Sequence, residues 1–508
     1  MLTNILQYLE ASAARVPDKL AFSDGEEGLC FAELLRISRA IGSGLLEKGL
    51  QHEAVAVLMD KSPMTLAAFF GVVYAGCFYV PLDTEMPVGR MQKILENVTP
   101  RVLICAQKSA KTAESLAFDG EIVSVETLAA VSACVARLSA VRDGQIDTDP
   151  IYIVFTSGST GLPKGVVACH RSVIDYTESL CEALPFDEET VFGNQTPLFF
   201  DAPLKEIMPT LKYGATTYLI PKKLFMVPIR LAEYLNAHKI NTICWVVSAL
   251  TMLSSLGALE KCPPEYLHTV AFGSEVFPTR QFNLWRQALP QARFFNLYGP
   301  TEATGMSCYY EAKRTFSEGE AIPVGRPFRN TDILLLDEAG QRVPLGQTGE
   351  ICMRGTCVTL GYYRNAEKTS AAFVQNPLNT AYPELIYKTG DLGYFDADGN
   401  LIFVGRRDFQ IKHMGHRIEL GEIEAAAASF DCVARAACVY DAEQKKIVLY
   451  YTSCEGSDEE KTLAAGLRSL LPRYMLPAVV RRLENMPLTP NGKLDRGKLA
   501  SLWREEQM

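Results

Sequence analysis

The sequence predicts an α/β protein: a large N-terminal unit of stacked α/β sheets with a small β-rich part, followed by a small α+β unit. Three observations predict it. The 508 residues suffice for two large or three average domains. Over the first four-fifths of the chain, helical patterns alternate with short β-rich runs, as in layers built on mostly parallel sheets. From about residue 330 short strands with Gly and Asp turns take over, and after Gly405 comes a compact segment of about 100 residues, enough for its own core.

The elements follow in order. Leu2, Ile5, Leu6 and Leu9 recur at helical spacing with Glu10 close behind and no basic region before them, which predicts an amphipathic helix and not a signal peptide. Residues 62–82 carry no charge and are long enough to span a bilayer. Gly71 and Gly76 interrupt them and Pro63 and Pro81 bracket them, so the reading is a buried helix running into a short strand, with no membrane insertion. Strands are expected at 101–106, 216–220, 241–247 and 293–297, and helices at 228–238 and 278–289. Further strands follow at 332–336, 349–353 and 401–404, with Asp396-Ala-Asp-Gly-Asn400 as a hairpin turn. The last segment reads as a helix at 421–429, strands at 434–440 and 446–452, and a helix at 458–471. A boundary near Asp408 divides the chain into 1–407 and 408–508.

The net charge of −9 argues against a nucleic-acid or anionic-membrane partner, either of which wants a basic face. The 14 cysteines are scattered without a CxxC pair, which suits free thiols in a reducing compartment, the cytoplasm. The close pair His413 and His416 has no Cys cluster beside it, so a zinc site is not expected.

The most informative segment runs from Tyr152 to Val166. A β-rich apolar run opens into Thr156-Ser157-Gly158-Ser159-Thr160-Gly161, then Pro163-Lys164-Gly165. The glycines let backbone N–H groups turn inward as an anion nest, the hydroxyls add donors and Lys164 adds a point charge. The spacing is not that of a Walker A loop. This is a loop for polyphosphate.

The segment resembles the phosphate loop of the adenylate-forming superfamily, which comprises amino-acid adenylation domains, acyl-CoA synthetases and luciferases. The resemblance recurs in order over about 480 residues. It includes Ala75-Gly-Cys-Phe-Tyr-Val-Pro-Leu-Asp83, Asn296-Leu-Tyr-Gly-Pro-Thr-Glu302, Tyr387-Lys-Thr-Gly-Asp-Leu392, Gly405-Arg-Arg-Asp-Phe-Gln-Ile-Lys412 with Gly415-His-Arg-Ile-Glu419 and Gly421-Glu-Ile-Glu424, Leu471-Pro-Arg-Tyr-Met-Leu-Pro477, and Asn491-Gly-Lys-Leu-Asp-Arg496. It implies a large adenylate-forming domain with a small mobile lid, and ATP with Mg²⁺ as cofactors. In the implied reaction a carboxylate attacks the α-phosphorus of ATP, pyrophosphate leaves, and a thiol captures the acyl adenylate. Such chemistry asks for positioning and charge stabilisation.

The roles implied by the resemblance are specific. Tyr298, with Asn296 and Gly299 around it, packs on adenine beside Gly273-Ser274-Glu275. Thr301 touches the α-phosphate, Glu302 helps hold Mg²⁺, Asp391 takes both ribose hydroxyls and Arg406 sits near ribose and phosphate. Lys493, on the small domain, neutralises charge between carboxylate and phosphate. Asp408 is the hinge, and the Gly415 region lines the thiol tunnel. His413-Met414 departs from the family pattern, which often has an apolar residue and then Arg.

Phe200-Asp201 resembles the family's marker for amino acids, with the aspartate on the substrate α-ammonium; read alone, Asp201 also suits a helix N-cap before Pro203. The remaining pocket positions carried over are Ala202, Lys205, Cys244, Val270, Phe272, Leu297, Gly305 and Met306. Phe272 makes the pocket short. Lys205 either pairs with an acidic substrate side chain or snorkels outward. A small or short amino acid is expected, with an acidic one as an option. No phosphopantetheine site or condensation motif is found, so the thiol is expected from a separate carrier protein, with coenzyme A second, as in D-alanine–carrier-protein ligases and free-standing peptide-pathway adenylation enzymes. The alternatives are an acyl- or aryl-CoA ligase of the same superfamily and a non-catalytic nucleotide-binding regulator.

Overall fold

The computed structural model describes residues 2–158, 163–407, 409–453, 460–488 and 494–507. Two large sheets share one core. The first has six strands in the order Glu121–Ser124, Val102–Cys105, Ala54–Leu58, Phe78–Leu82, Pro150–Thr156 and Lys164–Cys169. Its pairs are parallel except the last, an antiparallel hairpin around the phosphate loop. The second has nine strands. Its middle is a parallel run of Thr216–Leu219, Val191–Asn194, Thr242–Val246, Thr269–Gly273 and Arg293–Tyr298.

Helices Phe31–Glu47, Pro63–Tyr74, His170–Ala183 and Leu204–Tyr213 lie between the sheets and join both inner faces in one apolar cluster. The uncharged stretch is the expected helix, Pro63–Tyr74, running into the strand Phe78–Leu82. Ser62 accepts the Thr65 N–H at 3.3 Å and Pro63 opens the first turn, so its start is written locally. Among the described residues no helix is long and apolar enough to cross a membrane. The described cysteines other than Cys432 are free thiols.

A third, antiparallel sheet contains Thr331–Leu336, Gly349–Gly355, Leu385–Phe395, Phe373–Gln375 and Leu401–Arg406. The Asp396–Asn400 turn closes its last hairpin, with Gly399 at φ +77°. The C-terminal part has its own sheet of Val433–Asp441, Lys446–Ser453 and Val479–Arg482, and its own two apolar clusters. Helices Leu420–Ala428, Glu460–Leu470 and Arg496–Gln507 pack on it. Between the large and small parts a short hairpin, Gln410–His413 with His416–Glu419, reaches back into the large one.

This topology gathers the candidate residues at strand carboxyl ends, where open α/β sheets take their ligands. Thr156, Gly273 and Tyr298 each end a strand of the two large sheets. The Asp408, Lys493, Ser159, Thr160 and Gly161 positions lie outside the described residues.

Candidate active site

Glu302 is fully buried beyond the strand Arg293–Tyr298. Tyr362 donates its hydroxyl to Glu302 Oε1 at 2.7 Å, the Lys164 ammonium lies 3.4 Å from the same oxygen, and Arg417 Nη1 meets Oε2 at 2.7 Å. Burial alone would favour the protonated acid, but the adjacent Arg417 and Lys164 outweigh it and hold the carboxyl far below its usual range. Lys164, in register with Thr156 at the loop end of the hairpin, brings its ammonium beside this buried carboxylate. Of the phosphate loop, Thr156 and Ser157 are buried, and among the described residues the Thr156 hydroxyl has no partner.

Asp391 is also buried, in the third sheet. Its Oδ2 accepts the Tyr298 hydroxyl at 2.6 Å and its Oδ1 pairs with Arg406 across the hairpin. Three residues far apart in sequence thus form one polar corner. Asn296 is used differently from expectation. Its side-chain amide donates to the carbonyls of Ile322 and Pro323, so it pins a loop. Glu275 fastens Ser248 N–H at 2.7 Å, and Ser274 before it takes the left-handed region at φ +68°.

Asp201 is half-buried beside Thr301, before the helix Leu204–Tyr213. Burial raises its pKa; the Thr301 side chain and the charge of Lys205 oppose the rise. The capping position belongs to Pro203, and no side chain caps this helix, which removes the N-cap reading of Asp201. Gly305 leaves room at its carboxylate: a Cβ there would come within 3.6 Å of Asp201 Oδ2.

Lys205 does not snorkel. It is 2% exposed, near Asp201, Glu206 and Cys244. Among the described residues its ammonium closes no ion pair or hydrogen bond. Sequence reading missed its neighbours. Glu206 is fully buried, accepts Asn194 Nδ2 at 3.4 Å with one oxygen and leaves the other without a partner. Lys61 donates to the carbonyls of Asn194 and Gln195. Burial pushes Glu206 up to about 8 and Lys61 down to about 7. The available signal was adjacency: Glu206 follows Lys205 in an otherwise apolar helix face.

Val270 and Phe272 do not belong with this group. Strands alternate their side chains. Cys244, Ala271, Phe295 and Leu297 join the core facing the Leu204–Tyr213 helix, whereas Ile243, Trp245, Val270 and Phe272 join the opposite one. Phe272 packs on Phe277 and Phe282, with ring centroids 5.0 and 5.8 Å away. The strand positions in register with Cys244 and Leu297 are Ala271 and Gly273. Phe272 therefore fills the opposite core and does not shorten the pocket. Met306 sits in the same cluster as Leu297, and Ala202 and Phe200 are half-buried.

The hairpin 410–419 fills the space between these groups. The Lys412 ammonium lies 5.6 Å from the Tyr298 ring centre. Gly415 N–H donates to Glu275 at 3.0 Å, and a Cβ on Gly415, at φ +81°, would meet Val246 at 2.6 Å. Ser157 Oγ donates to the Arg417 carbonyl at 2.8 Å and accepts Glu419 N–H at 3.2 Å. His416 stacks on Tyr474 at 3.8 Å and lies 5.2 Å from Phe200. His413 meets the Tyr440 hydroxyl, and Met414 is exposed.

A family model for the AMP-binding enzyme matches residues 9–363, and one for the AMP-binding enzyme C-terminal domain matches residues 422–493. The chain belongs to the AMP-binding enzyme family. It is 33% identical to the L-proline–[L-prolyl-carrier protein] ligase of Streptomyces coelicolor, over 94% of this chain and 92% of that one. It is 31% identical to tyrocidine synthase 1 of Brevibacillus parabrevis over 98% of this chain, which spans only 45% of that protein. Against bacitracin synthase 1 of Bacillus licheniformis it spans 9%. The crystal structure of IdnL1 superposes with a TM-score of 0.82 at 27% identity, covering 95% of this chain and 99% of that one.

AMP-binding enzymes of this kind use ATP with Mg²⁺, and the residues present fit both. The orphaned Thr156 hydroxyl and the Lys164 ammonium suit phosphate oxygens. Glu302, ionised and ringed by cations, is the hard oxygen donor that Mg²⁺ takes alongside phosphate. Asp391 offers two carboxylate oxygens to a sugar diol.

Proposed function

We propose that the protein activates an amino acid. The substrate carboxylate oxygen attacks the α-phosphorus of ATP, pyrophosphate departs, and an aminoacyl adenylate remains. The phosphopantetheine thiol of a carrier protein then attacks the acyl carbon, losing its proton as AMP leaves. The observation that carries the amino-acid reading is Asp201. A carboxylate withdrawn from solvent is costly without a cation, and half-buried Asp201 closes no ion pair among the described residues. A substrate ammonium supplies the missing charge, and Gly305 keeps the approach clear.

Lys205 supports an acidic side chain. Its enclosed, unpaired ammonium calls for an anion. Aspartate and glutamate are the candidates, and the reading of a merely small substrate now rests on less. Full-length similarity to a carrier-protein ligase supports the carrier as acceptor. By family resemblance, Lys493 bridges carboxylate and α-phosphate in the first step, with Mg²⁺ on Glu302 countering phosphate charge.

The test is exchange of labelled pyrophosphate into ATP with single amino acids and with aliphatic and aryl acids. Exchange led by aspartate or glutamate supports the full reading. Exchange driven only by acids without an amine overturns it in favour of an acyl- or aryl-CoA ligase, and none with any acid favours the non-catalytic regulator.

A further inference from the structure

Arg90 and Glu422 stand 332 positions apart in the sequence and form an ion pair in which both side chains are buried. Arg90 lies on the helix Val88–Val98 of the large part, and Glu422 in the first turn of Leu420–Ala428, directly after the hairpin. The second oxygen of Glu422 accepts Gly158 N–H at 3.2 Å. That N–H belongs to the loop read as the phosphate cradle. In this arrangement a protein carboxylate takes a donor offered to phosphate, just as Arg417 takes the Glu302 carboxylate offered to Mg²⁺. The docked hairpin and a bound polyphosphate therefore compete for the same two groups.

We propose that Arg90 and Glu422 are positioning residues for the thiol-capture half-reaction: their pair clamps the hairpin onto the phosphate loop once pyrophosphate has left. The inference rests on the proposed amino-acid activation. The clamp touches neither adenine, ribose nor amino-acid groups. It acts through the segment it anchors, which carries Arg417 to Glu302 and seats Gly415 against Val246 and Glu275. A buried charge stripped of its partner is penalised, so loss of Arg90 bears on the arrangement that buries Glu422. Adenylation, which needs the cradle open, does not depend on the pair.

The experiment compares the full chain with Arg90→Ala, Glu422→Gln and the double variant. Three readouts are taken: amino-acid-dependent pyrophosphate exchange, single-turnover transfer from preformed aminoacyl adenylate to free pantetheine, and hydrogen exchange of residues 410–422 without ligands. The expected result is exchange within about twofold of the parent, transfer lowered about tenfold or more, faster hydrogen exchange in the hairpin, and a double variant no worse than the singles. Hairpin protection unchanged in the variants, or pyrophosphate exchange falling by the same factor as transfer, overturns the clamp. A parent that exchanges with no amino acid overturns the functional reading itself, and the clamp with it.

Discussion

The Arg417 guanidinium meets the Glu302 carboxylate at 2.7 Å, on the side opposite the Tyr362 hydroxyl and Lys164. A basic side chain from the hairpin thus stands where a divalent cation would face the same oxygen. One buried charge is thus neutralised here by the protein's own cations, where Mg²⁺ would otherwise do so.

Glu302→Gln removes the charge and keeps the shape. Pyrophosphate exchange should fall about 100-fold, the scale at which a preorganised electrostatic group contributes to catalysis. The drop should persist at saturating ATP and Mg²⁺. A change confined to the ATP KM would remove Glu302 from the chemistry and leave it in binding alone.

The polar corner of Asp391, Tyr298 and Arg406 makes a graded prediction. Tyr298→Phe deletes one neutral-to-charged hydrogen bond, worth about 1.5–3 kcal/mol, but keeps the ring; the ATP KM should rise about tenfold with kcat little changed. Asp391→Asn should cost more, since the amide leaves Arg406 without its carboxylate. Steady-state kinetics with varied ATP checks the order; equal effects would argue that the hydroxyl does all the work of the corner.

Lys205→Met keeps the length and removes the charge. Removing one partner of a buried charge pair costs about 2–5 kcal/mol, so exchange with an acidic amino acid should fall by about 30-fold or more. Asparagine, glutamine or an apolar amino acid should gain relative to it. An unaltered preference would place Lys205 outside the side-chain pocket.

Glu206 makes a stability prediction. Burial raises its folded-state pKa to about 8, above the ordinary carboxyl value of 4.5. Between those values the native state holds a proton that the unfolded chain has released, so this group's contribution is full below pH 4.5 and is lost as pH rises through 8. Glu206→Gln should therefore flatten the decline of Tm between about pH 5 and 8. Parallel Tm curves for parent and variant would show that Glu206 is ionised in the fold.

Much of the fold was legible because the signals were local. The helix Pro228–Ala237, the strand Thr242–Val246 and the Asp396–Asn400 turn lie within a residue or so of expectation, each set by periodicity or turn chemistry. What sequence did not yield is contact between distant segments. Nothing in 61–98 announces that Arg90 meets Glu422 or that Lys61 reaches Asn194. Val270 and Phe272 failed for a sharper reason: a shift of one residue along a strand turns the side chain to the other face, so the position beside Cys244 is Ala271 and the one beside Leu297 is Gly273. Asp201, which alone also suited an N-cap, does not cap the helix, whose capping position is Pro203.

The most direct measurement is pyrophosphate exchange by the parent and by Asp201→Asn, each assayed with its preferred amino acid and with the matching des-amino acid. The account predicts exchange that requires the amine and drops about 100-fold in the variant, while the des-amino acid gives little in either. Brisk exchange with the des-amino acid, indifferent to the substitution, would contradict it.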